Sequence, residues 1–307
     1  MFNLFKKAFF FQAGIGISAN TFLLLLHIFK LHLEHRPKPT DVTSSHLAFV
    51  HIVNLLIEVI LVSSELFESP HFGNDFKCKA LLSLSRVMRG LSICTTCLLS
   101  MLQAITISPS TSWLARFKNK STNDIFYILF FLWFLSLSFS SNLIIYAVSS
   151  SNRNQTNLII LTKYCSLSPM SYIIKGLFVT LTISGDVSFV GIMLLSSAYM
   201  VIFLSRHQRR SQHLHSTSLS PRASPEKRAT QTILLLVSIF VVIYWVDLII
   251  SIFSILLWAY DPVLLGSQRL VANVYVTVSP LVLLSSDKRI INIFQNLRQK
   301  VHQLLID

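Results

Sequence analysis

The chain has 307 residues, of which 52% are hydrophobic and 13% charged, with a formal net charge of +13. Soluble domains carry roughly 25% charged residues, so this composition excludes an ordinary soluble domain. The positive excess does not point to nucleic acid, because the basic residues collect at the edges of apolar runs.

Seven apolar runs follow one another: 8–29, 44–67, 81–107, 125–148, 176–204, 230–258 and 270–284. A helix needs about 20 residues to cross the hydrocarbon core, and bare backbone groups are excluded there, so each run is predicted to be a transmembrane helix. The last run is the shortest and the third the most polar. The fold class expected is an all-α membrane protein: one seven-transmembrane helix bundle spanning 1–307, with no room for a soluble domain. Residues 2–11 run straight into the first span, so no cleavable signal peptide is expected.

The connections differ in character. Segment 31–43 is polar and carries Pro37 and Pro39, and 108–123 is basic. Segment 149–175 follows the fourth run. Segment 205–229 holds six basic residues together with Ser216, Thr217, Ser218, Ser220 and Ser224, and Ser220-Pro221 and Ser224-Pro225 mark it as a linker. Its serines are phosphorylation candidates, with a plain linker as the equal alternative. After the seventh run, Ile290, Ile291, Phe294, Leu297, Val301 and Leu304 recur at helical spacing among Lys288, Arg289, Arg298 and Lys300, which predicts a short amphipathic helix on the membrane surface.

Counting Lys and Arg by connection sets the orientation. One set of connections holds 16 and the other 8, so the richer set is placed in the cytosol. The N-terminus is then extracellular and the C-terminus cytoplasmic, as expected for a multi-pass plasma-membrane protein. The sequon Asn154-Gln155-Thr156 falls outside on this topology and is a glycosylation candidate, whereas Asn119-Lys120-Ser121 falls inside. Cys78 opens the third run at the outer face, and Cys165 lies in the same outer connection as Asn154, so the two are expected to form a disulfide over the bundle mouth.

The residues also carry a family resemblance. Arg86-Val-Met-Arg-Gly-Leu-Ser-Ile-Cys-Thr-Thr-Cys-Leu-Leu-Ser-Met-Leu-Gln-Ala-Ile-Thr-Ile-Ser-Pro-Ser110 with Trp113-Leu-Ala-Arg-Phe117, His46-Leu-Ala-Phe-Val-His51, and Val241-Val-Ile-Tyr-Trp-Val-Asp247 resemble vomeronasal type-1 receptors. The resemblance covers nearly the whole chain. It implies a G-protein-coupled chemosensory receptor in the plasma membrane of sensory neurons, with small-molecule pheromones or odorants outside and a heterotrimeric G protein of the inhibitory type inside. Gly16-Ile-Ser-Ala-Asn20 resembles the first-span motif of the rhodopsin class, and His51 stands where that class has a sodium-binding Asp. The Asp-Arg-Tyr motif and Cys-Trp-x-Pro are absent, and Ala104-Ile-Thr-Ile-Ser108 occupies the region of the former. Bitter-taste receptors are the alternative family, but they generally lack the outer cysteine pair.

Arg86 and Arg89 are the sharpest site signal. They lie about 12 and 17 Å along a helix from Cys78, near mid-bilayer. A central Arg costs roughly 2.5–3.5 kcal/mol on insertion scales, so both must look into the bundle. Glu58, Asp186 and Asp247 are the acidic partners on offer. These five residues are the ligand-binding candidates, with one Arg free to meet an electronegative ligand group; an internal salt-bridge network is the competing reading. His51 is expected to be neutral and satisfied by Asn20 or Ser279. The Cys94-x-x-Cys97 pair sits mid-span with no second pair and is read as packing. Phe9–Phe11 and Phe130–Phe134 are read as lipid-facing or core, and Pro280 is expected to free a carbonyl in the seventh span.

Arg116, Arg206, Arg209, Arg210, Lys227 and Arg228 are the candidates for the G-protein face, although the positive-inside bias alone explains their placement. Membrane lipids are partners throughout. No cofactor, metal or nucleic acid is expected. A small-solute transporter is disfavoured by only 8 glycines and the lack of a repeat. An intramembrane enzyme is disfavoured because no catalytic arrangement occurs at matching depth.

Overall fold

The computed structural model describes residues 2–33, 38–66, 75–108, 122–149, 159–160, 165–167, 171–214, 225–256 and 262–286. Among the described residues, seven helices carry the fold: α1 (Phe2–Leu33), α2 (Pro39–Leu66), α3 (Asp75–Ile107), α4 (Thr122–Tyr146), α5 (Tyr172–Leu214), α6 (Pro225–Leu256) and α7 (Pro262–Ser286). Among the described residues, all but α7 are long and apolar enough to cross a membrane by that measure alone. The arrangement is a seven-helix transmembrane bundle. The predicted C-terminal amphipathic helix at 287–307 lies outside the described residues.

Local chemistry explains several boundaries. Helices α2, α6 and α7 each begin on proline, whose fixed φ suits the first helical position and whose missing N–H is no loss there. Lys30 and His32 lie in the last turn of α1, at its negative dipole end. The fourth apolar run does not stay helical to its end. Helix α4 stops at Tyr146, and Ala147–Ser149 form strand β1 of a small antiparallel sheet with β2 (Ile159–Ile160) and β3 (Cys165–Leu167), in the order β1-β3-β2. β-Branched Val148, Ile159 and Ile160 suit strands, but the stretches are too short for periodicity to announce them.

Helix α3 is the hub. It packs on α2, α4, α5 and α6, and β1 rests against it. Every side chain from Leu91 to Ser100 is buried, which accounts for its polar character: a surrounded helix meets protein on all sides and needs no lipid-facing stripe. One apolar cluster joins Val50 and Ile57 of α2 to Leu91 and Cys94 of α3 and Leu129 of α4. Another joins Cys97 and Leu99 to Met193 and Met200 of α5, Leu236 and Phe240 of α6, and Tyr275 of α7. Cys94 and Cys97 are buried free thiols, one in each cluster. By contrast Phe126, Phe130 and Phe134 are exposed along one face of α4, where lipid is the solvent. Of Phe9–Phe11, Phe9 is core and Phe11 exposed.

Helix α1 sits against α2 and α7. They approach closely at Gly16, where an added Cβ would lie 2.7 Å from Leu55 Cδ1 and 3.0 Å from Thr277 Oγ1. One turn on, Asn20 Nδ2 donates to Gly16 O at 2.8 Å and to Val276 O at 3.0 Å. Val276 is four residues before Pro280, so its carbonyl is the one the proline leaves without a helical donor. The α1 asparagine therefore satisfies the break in α7.

Candidate functional site

A cavity of about 90 Å³ opens between α2, α3, α6 and α7. One water needs roughly 10–15 Å³ by the same measure, so the space exceeds a single solvent site. Asn54 and Glu58 come from α2; Ser85, Arg89, Ser92 and Ile93 from α3; Phe240, Ile243, Tyr244 and Asp247 from α6; and Ala272, Asn273, Tyr275 and Val276 from α7. Each set recurs at three- or four-residue spacing, so each helix turns one stripe to the same space.

The cavity contains an ion pair. Arg89 Nη2 donates to Asp247 Oδ2, tying α3 to α6. The Asp247 side chain is 6% exposed, whereas that of Arg89 keeps 49% of its surface, because the guanidinium spans the open cavity. Glu58 accepts from Ser85 Oγ at 3.0 Å and makes no ion pair within 4.0 Å among the described residues. Asn54 Nδ2 donates to Asn273 Oδ1 at 3.3 Å, closing the wall between α2 and α7. Arg86 lies one turn from Arg89 and feels it and Asp186 electrostatically; Asp186, on α5, senses both arginines and Asp247. Of the five ionisable residues picked out in the sequence, Glu58, Arg89 and Asp247 line the cavity, while Arg86 and Asp186 do not line it but lie near enough to act on Arg89 electrostatically; Arg89 and Asp247 form a direct ion pair. Arg89 is not free: its charge is already matched within the bundle.

Below the cavity lies a buried hydroxyl–imidazole network. His51 Nε2 meets Ser92 Oγ at 2.9 Å, and Ser279 Oγ meets His51 Nδ1 at 3.1 Å. Ser279 is thus a partner of His51, as expected; Asn20 is not, because its amide is committed to the backbone of α1 and α7. Tyr275 stands edge-on to His51 with ring centres 5.6 Å apart, and its hydroxyl meets Thr96 Oγ1 at 2.7 Å. Phe240 packs edge-on to Tyr275 at 4.8 Å, and Tyr244 stacks on Phe240 at 6.1 Å, so an aromatic column runs from the network up the α6 side of the cavity. To one side, Trp133 Nε1 donates to His46 Nε2 at 2.9 Å, which leaves His46 Nδ1 to carry the hydrogen toward Thr95 Oγ1 at 3.1 Å.

Towards the Ile107 end, α3 is fastened by uncharged pairs. Ser100 and Ser196 hydroxyls meet at 2.6 Å, Gln103 Nε2 donates to Thr230 Oγ1 at 3.0 Å, and Ser108 and Tyr199 hydroxyls meet at 3.0 Å. At the same end Lys30 of α1 pairs with Asp41 of α2 at 2.7 Å.

Of the other sequence candidates, Cys78 is buried and disulfide-bonded, while the side chain of Cys165 lies outside the described residues. Arg206 is exposed near the end of α5, with Arg209 and Arg210 farther along that helix and Lys227 and Arg228 on the first turn of α6. Arg116 and Asn154 lie outside the described residues. Sequence reasoning overlooked Asn54, Ser85, Asn273, Tyr244 and Tyr275 as cavity residues. A signal existed for three of them: Asn54 is four residues before Glu58, Ser85 four before Arg89 and Tyr244 three before Asp247, so each shares a helix face with a residue already chosen. Among the described residues, no group of three His, Cys, Asp or Glu side chains is placed to hold a metal.

A multi-pass helical bundle with a polar cavity set among α2, α3, α6 and α7 suits a membrane receptor. Residues 3–296 match the vomeronasal organ pheromone receptor family. Vomeronasal type-1 receptor 90 of Rattus norvegicus is 46% identical over 293 residues, covering 95% of this chain and 94% of that protein. Vomeronasal type-1 receptor 94 of the same species is 41% identical, covering 96% and 90%, and vomeronasal type-1 receptor 42 of Mus musculus is 39% identical, covering 97% and 90%. The chain belongs to the vomeronasal type-1 receptor family. It is a multi-pass plasma-membrane protein and a chemosensory receptor of the G-protein-coupled class.

Proposed function

We propose that this receptor binds a small pheromone or odorant in the cavity between α2, α3, α6 and α7 and activates a heterotrimeric G protein of the inhibitory type at the Ile107 end of α3. The observation that carries the reading is the Arg89–Asp247 pair, which crosses the cavity from α3 to α6 and gives a ligand direct purchase on the relative position of two helices. The family supports the receptor role; the bias of basic residues supports an extracellular N-terminus and a cytoplasmic C-terminus. On this orientation Cys78 bonds to Cys165 and holds the α4–α5 connection over the mouth, Asn154 bears a glycan outside, and Arg206, Arg209, Arg210, Lys227, Arg228 and Arg116 face the G protein. A ligand that favours one α3–α6 arrangement shifts the population towards it, and the G protein binds that arrangement preferentially.

The test is a second-messenger screen of volatile and steroidal compounds in transfected cells, with toxin blockade of inhibitory G proteins as a control. Each active compound is then applied to Ala272→Trp, which fills the cavity from α7. Responses are expected to disappear at unchanged surface display; responses surviving at full potency would remove the cavity from the mechanism.

A further inference from the structure

We infer that the ligand carries a protonated amine, and that Glu58 is the residue that receives it. This rests on the cavity described above being the ligand site, and it names the chemistry that site selects. Three carboxylates, Glu58, Asp186 and Asp247, stand with two guanidinium groups, Arg86 and Arg89, in one neighbourhood. Counted formally among these five described residues, with all three carboxylates ionised, the balance is one negative charge in excess. Asp247 is bonded to Arg89, whereas Glu58 makes no ion pair within 4.0 Å among the described residues and holds only the Ser85 hydroxyl there, so Glu58 is the carboxylate left to receive a cation.

The local geometry agrees. Glu58 lines the cavity from α2, and its described contact is the Ser85 hydroxyl on one oxygen, which leaves acceptor capacity facing the space. Within a bundle surrounded by lipid, an anionic ligand would enlarge the negative excess, whereas an ammonium group brings it to zero. The opposite wall suits the same ligand. Phe240 and Tyr244 set aromatic rings along the space, where a cation is favoured, and Ile93 and Val276 line it for an apolar body. Arg89, already engaged by Asp247, is a positioning residue for the wall instead of the ligand's anchor.

A chain-matched series tests the inference: straight-chain primary amines, alcohols and carboxylic acids from butyl to decyl, applied at neutral pH to cells expressing the full receptor. At least one amine is expected to activate at a concentration tenfold or more below its matched alcohol, with the acids silent. Glu58→Gln should raise that amine's half-maximal concentration at least tenfold and narrow the gap to the alcohol, while Glu58→Asp retains most of the preference. Surface display is scored for both variants. Acids outperforming amines, an amine series silent throughout, or an amine response untouched in normally displayed Glu58→Gln would each overturn the inference. Failure of the cavity reading looks different: Ala272→Trp would then leave whatever response the series produces unaltered.

Discussion

The two ends of α3 fasten the same neighbours by different chemistry. On the Cys78 side the link to α6 is ionic and spans a cavity, Arg89 to Asp247. On the Ile107 side it is neutral and tightly packed, Gln103 to Thr230, both buried. The two links are separated by 14 residues on α3, roughly 21 Å. A buried charge cannot leave its partner cheaply, whereas a neutral donor and acceptor in a helical bundle average only about 0.6 kcal/mol per interhelical bond. The ionic end therefore sets the pairing of the helices, and the neutral end can open. A ligand bound at the first end needs little free energy to change the second.

The sharpest way to break this contrast is to remove one ion. Arg89→Met leaves Asp247, 6% exposed, without its counterion; stranding a buried charge in this way costs about 3–5 kcal/mol. Surface display of the tagged receptor is expected to collapse. Adding Asp247→Leu should restore most of it, because an apolar pair of similar volume fills the space with no charge to satisfy. A double variant displayed no better than the single one would mean that the pair does not govern assembly.

The charged half of this contrast was legible in the sequence; the neutral half was not. Arg86 and Arg89 stand out in an apolar run because lipid excludes them, and Glu58, Asp186 and Asp247 were the acidic partners that the other spans offered. The pairing among them was open, since the rotation of α3 about its axis decides whether Arg89 meets Glu58 or Asp247, and apolar spacing does not fix that rotation on a helix that packs against α2, α4, α5 and α6. Gln103, Thr230, Ser100 and Ser196 gave no warning at all. Uncharged side chains are common in spans and often bond to their own helix, as Thr106 Oγ1 does to Leu102 O at 2.8 Å. Pro280 announced a broken α7, but only the packing at Gly16 reveals that Asn20 takes up the carbonyl.

His51 lies between the two halves and sharpens the distinction. It is fully buried and bonded on both ring nitrogens, to Ser92 and Ser279. His51→Leu removes both bonds without stranding a charge, and the two serines can turn to carbonyls of their own helices. At roughly 0.5–1.5 kcal/mol per lost bond, the loss of stability should be about 1–3 kcal/mol. That is well short of the Arg89→Met effect, and thermal denaturation of the purified receptor in detergent measures it. A loss as large as that of Arg89→Met would place His51 with the ionic end.

The smallest effect is the most informative about signalling. Gln103→Leu keeps the side-chain volume and deletes the donor to Thr230 Oγ1. With about 0.6 kcal/mol per interhelical bond, stability should barely move, while the arrangement in which α6 leaves α3 gains about threefold in population. Ligand-free second-messenger output should rise by a similar factor at matched surface display. Ser100→Ala, which removes an α3–α5 contact of comparable strength, should leave that output nearer the starting level. If both variants raise it equally, the gain reflects general loosening of the bundle; if neither does, the neutral link does not restrain α6, and the division of labour along α3 is wrong.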